Sequence, residues 1–166
     1  CSNEVFHDQS FKFEGKYLHP VFIYAGSLAK YQCIDRMLDA FAAAQAVKPS
    51  AELLFYTGQQ EEAKILVQAR GLKNVTIGCA RPSEMNRILA RAKYGFVIRD
   101  DSAVNRVATP TKISSYISNG VIPVYTASLR AFEETSNGVT KLLYDENTFR
   151  SLFSDFEEFS IDSCKL

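Results

Sequence analysis

The chain has 166 residues, 46% of them hydrophobic, with 19 basic and 19 acidic side chains and a formal net charge of zero. That length suits one domain able to bury roughly 70% of the surface its unfolded chain exposes. The even charge balance argues against nucleic acid as a partner, so any anion site has to be local, and no apolar run is long enough for a membrane span.

Residues 1–20 are mixed and lack a clean period, and Cys1-Ser2-Asn3-Glu4 shows neither a starting Met nor a signal-peptide pattern. They read as a lead-in from a preceding domain, with the folded domain over residues 21–166 of an excised piece. A regular pattern then begins. Val21-Phe22-Ile23-Tyr24-Ala25 is an apolar run closed by Gly26, and Ile34, Met37, Leu38, Phe41 and Ala42 follow at helical spacing up to Pro49. Leu53-Leu54-Phe55-Tyr56-Thr57 ends at Gly58, and Ala63, Leu66, Val67 and Arg70 make the face of a second helix stopped by Gly71. Val75-Thr76-Ile77 ends at Gly78, and Met85, Ile88, Leu89 and Ala92 mark a third helix. A fourth strand covers 94–98, a helix 111–118 and a fifth strand 121–125. A further helix is expected to start within 128–134, and a last one over 147–159.

Continuous apolar strands alternating with helices mean a sheet buried on both faces, and hence a parallel one. The predicted fold is a Rossmann-like three-layer α/β/α domain with five or six parallel strands. The strand C-termini then share one rim. Gly26, Gly58 and Gly78 sit there, where backbone can approach a ligand closely. So do five cations: Lys30, Arg81, Arg99, Arg106 and Lys112. The segment from Arg99 to Lys112 joins a strand end to a helix start, which is where open α/β sheets bind ligands and where free helix N–H groups favour phosphate. The first loop has neither a complete Gly-x-Gly-x-x-Gly nor a Gly-Lys-Ser/Thr motif, so dinucleotide binding and P-loop chemistry lose ground.

The four cysteines, Cys1, Cys33, Cys79 and Cys164, form no Cys-x-x-Cys pair, and the two histidines, His7 and His19, lie near the start of the chain. No zinc site is expected. Cys33 and Cys79 adjoin apolar runs and read as small buried residues, and reduced thiols point to a cytoplasmic setting.

Three segments in order carry a resemblance. The first is Tyr24-Ala25-Gly26-Ser27 with Lys30-Tyr31-Gln32, Asp35 and Leu38. The second is Gly71-Leu72-Lys73-Asn74-Val75 with Gly78. The third and most specific is Arg99-x5-Asn105-x-Val107-Ala108-x-Pro110-x-Lys112-Ile113-x-x-Tyr116-x3-Gly120-Val121-Ile122-Pro123-Val124. From about residue 21 to 144 the chain resembles the C-terminal, donor-binding half of a GT-B retaining glycosyltransferase of the family 4 group, in its bacterial surface-polysaccharide branch. The resemblance implies transfer of a hexosyl-type sugar from a nucleotide diphosphate sugar to an acceptor, in polysaccharide or glycan synthesis, with no metal or other cofactor. It implies catalytic roles for Arg99 and Lys112. It implies donor contacts from Gly26, Ser27, Lys30, Gly78, Arg81, Asn105, Thr111 and Ser115, with the base near residues 78–81. An acceptor glycan or lipid-linked sugar would bind a missing N-terminal domain, so this piece alone is expected to be inactive. A lipid-linked acceptor would bring peripheral contact with the inner face of a membrane. Many relatives carry Glu-x7-Glu where this chain has Val107 and Ser115, and Arg where it has Ser27. Two other readings stay open: a non-catalytic module that binds a nucleoside diphosphate, and another sugar-nucleotide enzyme such as an epimerase.

Overall fold

The computed structural model describes residues 7–163 in backbone and 7–159 in side chain. Six parallel strands form one sheet in the order β3-β2-β1-β4-β5-β6. They are β1 (Val21–Ala25), β2 (Glu52–Tyr56), β3 (Val75–Gly78), β4 (Tyr94–Val97), β5 (Ile122–Tyr125) and β6 (Leu142–Leu143). The helices are α1 (Asp8–Phe11), α2 (Ile34–Val47), α3 (Gln60–Ala69), α4 (Met85–Leu89), α5 (Ala103–Val107), α6 (Thr111–Ser118), α7 (Arg130–Thr135) and α8 (Phe149–Ser163). Short 3-10 turns stand at Lys30–Gln32 and Pro82–Glu84. This is the doubly wound strand order expected of a Rossmann-like domain, reversing direction between β1 and β4.

Strand residues alternate between two apolar layers. On one face Phe22, Phe55 and Phe96 pack with Leu38 and Phe41 of α2, Val67 of α3, and Phe149 and Phe153 of α8. Phe22 stacks on Tyr94 at 4.8 Å and on Phe96 at 5.0 Å between ring centroids. On the other face Ile23, Leu54 and Val97 meet Ile88 and Leu89 of α4, Ile113 and Tyr116 of α6, and Phe132 of α7. Gly95 makes room for this second layer: a Cβ there would lie 2.5 Å from the Tyr116 ring. Tyr116 therefore seats α6 directly on β4, and so fixes where the N-terminal turn of α6 emerges at the rim.

The lower end of the sheet is tied by polar groups. Lys93 and Glu157 form an ion pair at 2.6 Å with side chains 0% and 1% exposed, and the Tyr94 hydroxyl donates to the same carboxylate oxygen. This locks α8 against the start of β4. Residues 7–20, read from sequence as a lead-in, pack on this same unit. Ser10 donates to Asn119 Oδ1 at 2.8 Å, and Tyr17 donates to the Gly120 carbonyl at 2.7 Å. The buried Lys16 ammonium holds the carbonyls of Asn119 (2.6 Å) and Leu89 (3.2 Å) near the ends of α6 and α4, and burial pushes its pKa down to about 8. No helix among the described residues is long and apolar enough to cross a membrane.

Several elements depart from the sequence reading. The last helix begins at Phe149 rather than 147, because Asp145 caps the turn before it: its Oδ1 accepts from the Asn147 N–H and the Thr148 hydroxyl. The helix expected from 128–134 is Arg130–Thr135. The two-residue β6 and the short α1 and α5 carry no period that the sequence could show.

Candidate functional site at the switch point

The crevice outside β1 and β4 is built from both strand ends. After β1 the chain turns at Gly26 and runs through the Lys30–Gln32 turn into α2. After β4 it passes Arg99, makes α5, and enters α6 behind Pro110. Ser102 caps α5 by accepting the Asn105 N–H at 3.2 Å, and the Asn105 amide donates to the Asp100 carbonyl at 2.8 Å. Asn105 thus orders this loop. Thr126 and Ser128 stitch the ends of β4 and β5 together. The Arg99 N–H donates to Thr126 Oγ1 at 2.9 Å, and Ser128 Oγ donates to the Arg99 carbonyl at 2.8 Å.

Lys112 lies in the first turn of α6 and reaches back across the crevice to β1. Its ammonium donates to Gln32 Oε1 at 3.0 Å and sits 4.3 Å from the centroid of the Tyr24 ring. A Cβ at residue 26 would lie 2.7 Å from Lys112 Nζ and 3.0 Å from the Tyr24 hydroxyl, so only glycine admits this arrangement. The Tyr24 hydroxyl donates to the Ser27 carbonyl at 2.6 Å and fixes the turn. Burial, and then the charge of Arg99, push the Lys112 pKa down to about 7. Arg99 is 6% exposed. Its guanidinium donates to the Ile98 carbonyl at 3.0 Å and stands 5.7 Å from the ring of Tyr31, which is 60% exposed at the crevice mouth. Among the described residues no carboxylate pairs with either Lys112 or Arg99. Asp100 is taken by Arg36 at 3.2 Å, and Asp101 by Arg106 at 2.7 Å.

The structure therefore brings Gly26, Arg99 and Lys112 together, with Ser27 beside them and exposed. Thr111 is exposed at the head of α6, and Ser115 is half-buried a turn further on. Val107, the other position where the resemblance expects Glu, is 78% exposed on α5. Lys30 is exposed on its 3-10 turn. Gly78 and Arg81 adjoin in sequence the residues of a neighbouring recess but do not line it. Gly78 stands at the end of β3 against the Tyr56 ring, which a Cβ would meet at 3.1 Å. The Arg81 side chain is 85% exposed, 3.9 Å from Glu84. That recess, about 290 Å³ in volume, lies between the ends of β1, β2 and β3 and is lined by Gly26, Tyr56, Gly58, Cys79 and Pro82. Cys33 is buried as expected, but Cys79 is exposed, because it follows the last residue of β3 and leaves the sheet. Cys1 and Cys164 lie outside the described residues. Among the described residues no cluster of His, Cys, Asp and Glu could hold a metal ion.

Gln32, Tyr24 and Arg36 carry no sequence signal of the contacts they make here. Arg36 looks like an ordinary helix-surface residue, yet it holds Asp100 and lies 3.4 Å from Glu146.

No protein-family model matches the chain, and no curated protein matches it by sequence. Among solved structures it is similar to the catalytic domain of cholesterol-alpha-glucosyltransferase from Helicobacter pylori, at 17% identity and TM-score 0.63, over 87% of this chain and 88% of that one. It is similar to WaaG, a glycosyltransferase involved in lipopolysaccharide biosynthesis, at 13% identity and TM-score 0.67, over 93% of this chain and 45% of that one. It is also similar to Anabaena HepE, solved in complex with UDP-glucose, at 14% identity and TM-score 0.63, over 95% of this chain and 44% of that one. The chain spans less than half of WaaG and of HepE. At these identities the likeness is one of fold, and the chain has the Rossmann-like α/β fold of the halves from which GT-B glycosyltransferases are built.

Proposed function

We propose that this chain is the donor-binding domain of a glycosyltransferase, holding a nucleotide diphosphate sugar across the β1–β4 crevice. The observation that carries the reading is the pair Lys112 and Arg99, two cations at the switch point with no carboxylate partner among the described residues. The Arg99 charge disfavours the Lys112 ammonium, and an anion placed between them reverses the sign. A diphosphate fits because its charge rises as the glycosidic bond breaks, so fixed cations stabilise the transition state more than the bound donor. In this reading Lys112 and Arg99 meet the diphosphate. Gly26, Ser27 and the first N–H groups of α6 from Thr111 approach it by backbone. Asn105 orders the loop, and Ser115 and Lys30 flank the sugar and phosphates. The recess beside Gly78 and Arg81 takes the base. The transfer retains anomeric configuration and uses no metal, because the cations do the work of one.

The acceptor, a glycan or a lipid-linked sugar, binds a second domain, in polysaccharide or glycan synthesis on the cytoplasmic side. UDP is the first base to test, since HepE was solved with UDP-glucose and a pneumococcal O-GlcNAc transferase, GtfA, with UDP and GlcNAc. A second reading, binding without transfer, follows from Val107 and Ser115 standing where the resemblance expects carboxylates. An epimerase fits less well. It would need histidines and carboxylates at the crevice, while His7 and His19 hydrogen-bond at the lower end of the sheet, near Ser118 and Val21.

The test is calorimetry of UDP, GDP, ADP and their sugars, with and without magnesium. Selective, metal-independent binding of one nucleoside diphosphate is expected. Absence of binding by all of them, in this chain and in any longer natural form, contradicts the reading.

A further inference from the structure

The group that receives the Lys112 ammonium is an amide. Gln32 is 7% exposed and its Oε1 accepts from Nζ at 3.0 Å. A glutamate has the same reach and would close an ion pair inside the crevice. The sheet elsewhere uses that solution, at Lys93 and Glu157. We infer that Gln32 is the positioning residue of the anion site: its uncharged amide oxygen holds the Lys112 ammonium over the Tyr24 ring and leaves the charge available to an incoming diphosphate. The inference rests on the proposed donor-binding role.

The charge environment supports it from each side. From β1 and the turn after it, Tyr24, Tyr31 and Gln32 face the crevice, and from the end of β4 comes Arg99. Within α6 the neighbouring titratable group is Tyr116, which is buried behind Lys112. The acids of the surrounding segments are engaged elsewhere: Asp100 with Arg36, Asp101 with Arg106, and Asp35 with Arg70. Nothing acidic offsets burial and the Arg99 charge, which together push the Lys112 pKa down to about 7. A bound diphosphate supplies the missing negative charge, so binding draws a proton from solvent onto Nζ.

The probe is UDP-glucose. Its diphosphate is esterified at both ends and has no group titrating near neutral pH, so proton uptake reports the protein. Calorimetry in buffers of different ionisation enthalpy should give about 0.9 proton taken up at pH 8 and about 0.1 at pH 6. Gln32→Glu should weaken binding tenfold or more and abolish the uptake at pH 8. Gln32→Met, which removes the acceptor without adding charge, should weaken binding about threefold to fivefold through the lost positioning of Lys112, less than Gln32→Glu, and should keep the uptake; unchanged binding in Gln32→Met would overturn the positioning role. A purely structural role for Gln32 would make the two variants fail alike. Heteronuclear NMR titration of Lys112 Nζ in the ligand-free chain separates this inference from the donor reading. Lys112 should titrate near 7 in the wild type and above about 9 in Gln32→Glu. Unchanged titration and unchanged binding in Gln32→Glu overturn the inference and leave the donor reading standing. The expected Lys112 titrations with no binding of UDP-glucose or any nucleoside diphosphate overturn the donor reading instead, and uphold the Gln32–Lys112 contact.

Discussion

Lys112 costs the folded chain stability, a cost that the proposed donor site turns into binding. Its ammonium is desolvated beside Arg99 with only an amide and an aromatic ring for company. Lys112→Met should therefore leave the fold intact or slightly more stable, because it removes a buried charge and keeps the apolar stem. The same variant should lose tenfold or more in affinity for nucleoside diphosphates, and calorimetry alongside thermal melting checks both halves. Ser115→Glu places a carboxylate where the glycosyltransferase resemblance expects one on α6, and should tighten sugar-nucleotide binding over the bare nucleoside diphosphate. A loss of binding there would mean that α6 is misaligned with that family. That Gly26, Arg99 and Lys112 share one rim was legible in the sequence, because a parallel sheet puts all its strand C-termini and the helix starts after them on one side. Gln32 was not legible as a partner, since a neutral amide carries no chemical signal until something is seen to touch it.

Tyr116 of α6 closes over Gly95 of β4, and this contact sets the position of the helix N-terminus that the site uses. Gly95→Ala should destabilise the chain by about 1–3 kcal/mol, as overpacking in a core does, and should weaken diphosphate binding as well by shifting α6. Urea unfolding and calorimetry on one variant test this coupling of packing to function; a stability loss with unchanged affinity would break it. At this scale the sequence was readable where elements are long or fully buried. The first five strands and α2, α3 and α6 stand close to where their apolar patterns place them. The two residues of β6 are too short to show a period, and α5 depends on a Ser102 cap and on Asn105 reaching Asp100, contacts decided by the folded loop.

For the whole molecule, burial of two lysines sets a pH dependence. Lys112 and Lys16 have folded pKa values lowered to about 7 and about 8 from 10.5. Between those values and 10.5 the unfolded chain binds more protons than the folded one, so stability rises with pH, by up to about 1.4 kcal/mol per pH unit for each lysine. Buried phenols reverse the trend above about pH 10. Tyr24, Tyr94 and Tyr116 are held above the usual tyrosine range by burial, so there the unfolded state ionises first. Urea midpoints should accordingly climb from pH 6.5 to 9, and Lys112→Met should flatten the climb. A flat or falling profile in the wild type would contradict these burials. The doubly wound order, reversing between β1 and β4, puts the cations at a crevice; the buried parallel strands were legible in the sequence, but their order was not, because several doubly wound orders satisfy the same apolar pattern.

The central claim is that a sugar nucleotide binds at the β1–β4 switch point. Amide-resolved NMR during titration with UDP-glucose tests it most directly, since it reports both binding and place. A donor held at the switch point should give saturable shifts confined to residues 26–33, 78–81 and 99–115, lost in Lys112→Met. No shifts, or shifts gathered at the opposite end of the sheet around residues 117–122, would contradict it.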